Sequence, residues 1–160
     1  MIRAIALAAA VAAFAAPAHA LSCARPDLAR TILQAREAAE VYAILHGTLD
    51  FDESAMPAPV DGAPPALPAT VPARFEGAAL GAEGWVPHRA AVTIQPTCAG
   101  PWCGHVPSGE DWLLVVQADV EGGYTLEAGP CGGSAFVDPD AAMLDLARSC
   151  ATGGACRPAG

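Results

Sequence analysis

Six cysteines, at positions 23, 98, 103, 131, 150 and 156, constrain this chain more than any other feature. An even set of this kind is either a framework of covalent staples formed in an oxidising compartment or a source of soft metal ligands. The N-terminus favours the first. Met1-Ile2-Arg3 is a short basic start, Ala4 to Ala16 is apolar throughout, and Ala18-His19-Ala20 puts small residues three and one positions before a cut after Ala20. This is the three-part pattern of a secretory signal peptide over residues 1–20, and it predicts a periplasmic or secreted protein. The apolar stretch is shorter than the roughly 20 residues a helix needs to cross a bilayer, so no membrane span is expected. A lipoprotein cut before Cys23 is disfavoured because Leu21-Ser22 is a poor match to the small residues such a cut requires.

Export makes three disulfides the expectation. Six cysteines allow fifteen pairings. The preferred set joins Cys98 to Cys103 and Cys150 to Cys156, local loops with Gly or Pro inside, and Cys23 to Cys131. The last closes a loop of about 100 residues, which the chain-entropy model values at about 4.7 kcal/mol. Cys23 with Cys103 is its main competitor. Cys98 and Cys103 with His105 would make three soft ligands, but structural zinc sites use Cys pairs in duplicate, and no metal site is expected. Trp102-Cys103-Gly104-His105 opens like a thioredoxin active site, yet position 106 is Val where a resolving thiol is needed, so dithiol chemistry is excluded.

A length of 160 residues suits one domain, placed at 21–160. The chain carries eight basic residues, all Arg, against seventeen acidic ones, for a net charge of −9. Losing residues 1–20 removes Arg3 and no acid, leaving seven Arg against seventeen acids, a net −10. Such a balance argues against nucleic acid, whose phosphates demand basic surfaces.

Pro26-Asp27 reads as a helix start, with Leu28, Ile32, Ala35 and Ala39 on one face and an end near Glu40. Val41 to Phe51 alternates as a long strand, interrupted by Gly47, which suggests a bend or bulge. Residues 54–70 hold five Pro and read as an extended mobile loop. Val71 to Glu76 and Trp85 to Gln95 form a hairpin around Gly81 to Gly84. Trp112 to Val116 is apolar without interruption, as in a strand buried on both faces. Gly122-Gly123 turns into a strand over Tyr124 to Ala128 that Cys131 ends. Asp138-Pro139-Asp140 supplies an N-cap at Asp138 and a first-turn proline for a last helix, with Met143, Leu146, Ala147 and Cys150 on its apolar face. The expected fold is mainly β, a five-stranded OB-like barrel with an N-terminal and a C-terminal helix, stapled by disulfides.

The order and spacing of several features resemble the netrin-like module, the OB-type barrel of tissue inhibitors of metalloproteinases and their bacterial relatives. They are Ser22-Cys23, the helix, Val41-Tyr42-Ala43 running into His46-Gly47, Phe75-x-Gly77, Cys103-Gly104, Trp112 to Val116, Gly122-Gly123, Cys131, and a closing helix with Cys150. In the animal inhibitors an N-terminal cysteine chelates the protease zinc through its amine and carbonyl. The resemblance implies that Cys23 holds that position, beside the loop from Cys98 to His105. A cut after Ala20 leaves Leu21 and Ser22 ahead of Cys23, and the Cys-x-Cys opening of those inhibitors is missing.

Catalysis needs convergent titratable groups. His46, Thr48 and Asp50 share one strand face, and a cryptic enzyme site would lie around His46, Asp50 and His105; His88, in a Pro-His-Arg turn, and His105 read as exposed. There is no nucleophile elbow, zincin motif or phosphate loop, and no cofactor is expected. The functional expectation is a non-catalytic exported module that binds a protein or envelope component through the loop from Cys98 to His105 and the Pro-rich loop. Its binding residues are Cys23, Trp102 and His105, with Trp102 on the stapled loop as the anchor. A metalloprotease inhibitor and a small periplasmic enzyme are the alternatives.

Overall fold

In a computed structural model, which describes residues 22–58, 70–120 and 122–159, the first helix begins at a carboxylate. Asp27 accepts a hydrogen bond from the Arg30 N–H at 3.0 Å and caps α1 (Leu28–Glu37). Leu28, Ala29 and Ile32 are its buried face. The helix stops three residues short of Glu40. Ala38 is already extended and Ala39 is exposed, because the chain must turn there into β1 (Tyr42–Asp50). The signal-peptide segment and residues 59–69 of the Pro-rich stretch lie outside the described residues. The start of that stretch is not loop as expected: Glu53–Ala55 is a 3-10 turn capped by Asp52, and Met56 is buried in the core. An apolar side chain among the prolines ties the segment down.

The hairpin follows as β2 (Val71–Gly81) and β3 (Gly84–Pro96), paired through their whole length. A two-residue ribbon, β4 (Cys98–Ala99) and β5 (Trp102–Cys103), precedes β6 (Asp111–Ala118), β7 (Tyr124–Ala128) and β8 (Ala135–Val137). The closing helix, α2 (Ala141–Ala151), is capped by Asp140, whose carboxylate accepts from the Met143 N–H at 2.7 Å. Asp138 is therefore not the cap. Its N–H is committed to the Asp111 carbonyl, 2.9 Å away, and its φ is +48°. Cys131 likewise does not end a strand, since β7 closes at Ala128.

The main sheet has six strands in the order β1-β2-β3-β7-β6-β8, and β1 also pairs with β6. All of these pairings are antiparallel except β3 with β7. One edge of β6 is given to β1. The other is divided, with Trp112, Leu113 and Leu114 on β8 and Gln117 and Ala118 on β7. The sixth strand was not expected, because three residues are too few for alternation to show.

The apolar run in β6 buries both faces, as its composition predicts. Trp112, Leu114 and Val116 join Leu45, Leu49, Phe75, Ile94 and Leu126 in one core cluster. Leu113 and Val115 face the other way, against Ile32 of α1, Phe136 of β8 and Ala147 and Cys150 of α2. Both helices thus cover the same outer face and are tied together, with Arg36 Nη1 donating to the Cys150 carbonyl at 3.0 Å. All three expected disulfides are present: Cys23–Cys131, Cys98–Cys103 and Cys150–Cys156.

Gly47 makes no bulge. The register of β1 runs unbroken through it on both sides, with Gly77 opposite on β2 and Trp112 opposite on β6. What the position requires is close backbone approach. A Cβ on Gly47 would lie 2.3 Å from the Glu76 carbonyl oxygen, and one on Gly77 would lie 2.2 Å from that of His46. Neither neighbour is a side chain that can swing aside. Gly47→Ala and Gly77→Ala are each expected to cost more than about 4 kcal/mol of unfolding free energy, the range of severe core lesions. Gly109→Ala, at φ +79° but in open space, should cost only about 1–2 kcal/mol of left-handed strain. Urea midpoints of the three variants check the contrast.

Candidate functional site

The ribbon of β4 and β5 is a closed ring. Cys98 pairs with Cys103 both in register and through the disulfide, Ala99 pairs with Trp102, and Gly100-Pro101 turns between them at a Gly100 φ of +62°. Its base is bound to the sheet: the Thr97 N–H donates to the Ala128 carbonyl at 2.9 Å and the Gly104 N–H to the Thr97 carbonyl at 3.0 Å. Gly104 fits there because its Cα faces backbone; a Cβ would come within 2.0 Å of the Ala128 oxygen. On this platform Trp102 is 45% exposed, an unusual state for the largest side chain in the chain. Its ring runs beside Gly100.

The other two expected binding residues connect to that base, one through a disulfide and one along the chain. Cys23 is bonded to Cys131, three residues beyond the Ala128 that anchors the ribbon. His105 is exposed and follows Gly104 directly. Cys23, Trp102 and His105 are thus all attached to the segment at the end of β7.

The histidines proposed for a cryptic enzyme site go separate ways. His46 Nε2 lies 3.2 Å from both carboxylate oxygens of Asp111, and its ring meets Trp85 edge-on at 5.7 Å. Trp85 Nε1 is buried there without a hydrogen-bond acceptor among the described residues. Asp50 stands opposite Arg74 on β2, and neither it nor His105 is hydrogen-bonded to His46. His88 is not in an exposed turn. It sits within β3, half-buried, with Nε2 3.0 Å from the Tyr124 hydroxyl, because β3 runs unbroken through Pro87. Among the described residues no group of three or more His, Cys, Asp or Glu is placed to hold a metal ion.

Sequence reasoning missed a second concave feature. An open groove of about 850 Å³ lies between the N-terminal ends of the two helices and the coil beside them, residues 24–26 and 157–159. Leu28, Phe136, Met143 and Leu146 supply its apolar lining. Arg25, Arg30 and Arg157 also line it. None of the three makes an ion pair among the described residues, whereas Arg89 pairs with Glu76 and Arg148 with Asp145. Asp27 and Asp140 reach the groove too, but both carboxylates are held by N–H groups of their own helices. The available signal was the position of two arginines within two residues of stapled cysteines, at Cys23-Ala24-Arg25 and Cys156-Arg157.

No known protein family, curated protein or solved structure matches the chain. Among the described residues no helix is long and apolar enough to cross a membrane.

Asp27 gives the groove a measurable acid signature. The Arg30 N–H, aided by that of Ala159 at 2.6 Å, holds its carboxyl below the ordinary value of 3.8. A carboxyl depressed in the folded state stabilises fully above its unfolded pKa and loses that contribution as pH falls through the folded one. Asp27→Asn keeps a capping oxygen but cannot ionise. Its melting temperature should therefore fall less steeply than that of the parent between about pH 5 and pH 2, with the caps at Asp52 and Asp140 left intact.

Proposed function

We propose that this protein is an exported, non-catalytic binding module that meets a protein or envelope component through the stapled ribbon. The observation that carries the reading is Trp102, half exposed on a ring closed by a disulfide and hydrogen-bonded at its base. An aromatic side chain held this way has little conformational entropy left to lose on binding, and buried Trp is the most common energetic anchor of an interface. Three disulfides are compatible with an oxidising compartment, and the signal-peptide pattern supports the periplasm or the outside of the cell.

The strand pairing supports an OB-type barrel as the scaffold. Pairings pass from β1 through β2, β3, β7 and β6 back to β1, and β3 and β7 are parallel. A closed five-stranded ring of this order offers loops as its variable binding parts. The netrin-like resemblance adds a second reading, inhibition of a metalloprotease, favoured by the attachment of Cys23 and the ribbon to the same end of β7. That mechanism requires a chain beginning at Cys23 with a free amine. N-terminal sequencing of the exported protein decides between the two, since a start at Leu21 removes the chelating amine.

Capture from an envelope extract by the oxidised protein, scored against Trp102→Ala and His46→Ala, tests the main reading. Binding weakened at least tenfold by Trp102→Ala and kept by His46→Ala is expected, an effect on the order of 1.4 kcal/mol or more. Turnover of any envelope component that His46→Ala abolishes would overturn it in favour of an enzyme.

A further inference from the structure

The groove between the helix starts has features that the ribbon does not explain. Its two lips are coil, and coil on a protein surface is ordinarily more mobile than the elements it joins. Here each lip is pinned. Cys23–Cys131 holds Ala24 and Arg25, and Cys150–Cys156 holds Arg157. The Ala159 N–H then ties the tail to the Asp27 carboxylate. Two staples and a hydrogen bond therefore fix the backbone that carries Arg25 and Arg157 beside an apolar floor. In a chain of net charge −9, the three arginines at this concavity outnumber its two carboxylates, Asp27 and Asp140, and leave it with a local excess of positive charge.

We propose that this groove binds a single-chain anionic amphiphile, a fatty-acid-like molecule whose head group meets Arg25, Arg30 and Arg157. Its chain lies along Leu28, Phe136, Met143 and Leu146. Charge complementarity selects the head: guanidinium forks pair with carboxylates in two parallel hydrogen bonds, and the cations lining the groove are all arginines. The apolar lining selects the body. At about 850 Å³ the groove is within the range of small-ligand pockets, which combine a mostly apolar wall with a few polar groups that set orientation. A protein partner would need a broad complementary face of roughly 800 Å². An intact anionic bilayer would be repelled by the acidic remainder of the surface.

The test is calorimetric titration of the oxidised protein with dodecanoate below its micellar concentration, beside dodecanol, acetate and an acidic apolar tetrapeptide. Dodecanoate is expected to bind at one site, dodecanol at least tenfold more weakly, and acetate not measurably. Arg25→Glu/Arg157→Glu should weaken dodecanoate at least tenfold while keeping the parent's melting temperature and circular dichroism, and Trp102→Ala should leave it unchanged. Should the double variant melt lower, Arg25→Gln/Arg157→Gln serves as the second probe, with a smaller loss of affinity expected at parent stability. Unchanged dodecanoate affinity in a folded arginine variant overturns the proposal. So does acetate binding as tightly as dodecanoate, or the tetrapeptide binding where dodecanoate does not. Loss of dodecanoate binding with Trp102→Ala would place the ligand at the ribbon instead, again overturning it.

Discussion

The double pairing of β1 is the constraint on which the rest of the structure depends. This strand gives one edge to β2 and the other to β6, and so joins the first hairpin to the strand that carries both cores. The pairing succeeds because two glycines face each other at its centre, where the backbones of β1 and β2 come too close for any side chain. With both edges used, β1 presents no unpaired edge along its paired length, which removes the usual aggregation hazard of an exposed strand. The helices then have a single place to go, the outer face that Ile44, Leu113 and Val115 leave apolar.

What could be read from the residues follows from how much each signal depends on distant partners. Trp112 to Val116 was legible because five apolar residues in a row have few other homes than a strand buried twice. The disulfides were legible because two pairs were local and the third was then the remaining pair. Gly47 was legible as a special position but not as the right one: a glycine in a strand marks a bulge or a close approach, and only Gly77 on the partner distinguishes them. Asp138 and Asp140 both satisfy the local rule for a cap, and the choice was made by a hydrogen bond to Asp111, 27 residues earlier. The groove was illegible for the same reason. Its arginines are scattered over the first and last parts of the chain and converge only once Cys23 and Cys156 find their partners.

The staples divide into two kinds by their energetic reach. Closing a loop of about 100 residues removes far more unfolded-chain entropy than closing one of about six, roughly 4.7 against about 2 kcal/mol in the chain-entropy model. Cys23–Cys131 is thus both a global constraint and an anchor for the first residues before α1. Cys98–Cys103 and Cys150–Cys156 act locally, over sequence separations of 5 and 6.

That locality bears on function. Among the described residues the two apolar clusters contain every buried hydrophobic side chain, and of the six cysteines only Cys150 is fully buried among them. Packing around the sheet therefore does not call for a bond across the ribbon, whereas Cys150 belongs to the core on the helix side and Cys156 packs against it. Each local staple fixes a piece of surface that little else holds: the two-residue ribbon of β4 and β5 that carries Trp102, and the coil after α2 that carries Arg157. Rigid surface elements lower the ordering cost of association, because the conformational freedom has already been removed before a partner arrives. A chain that uses two of three covalent links this way is organised to present surfaces, and the side chains on those surfaces are an aromatic and a cation, the residue types that interfaces and anionic ligands engage most strongly.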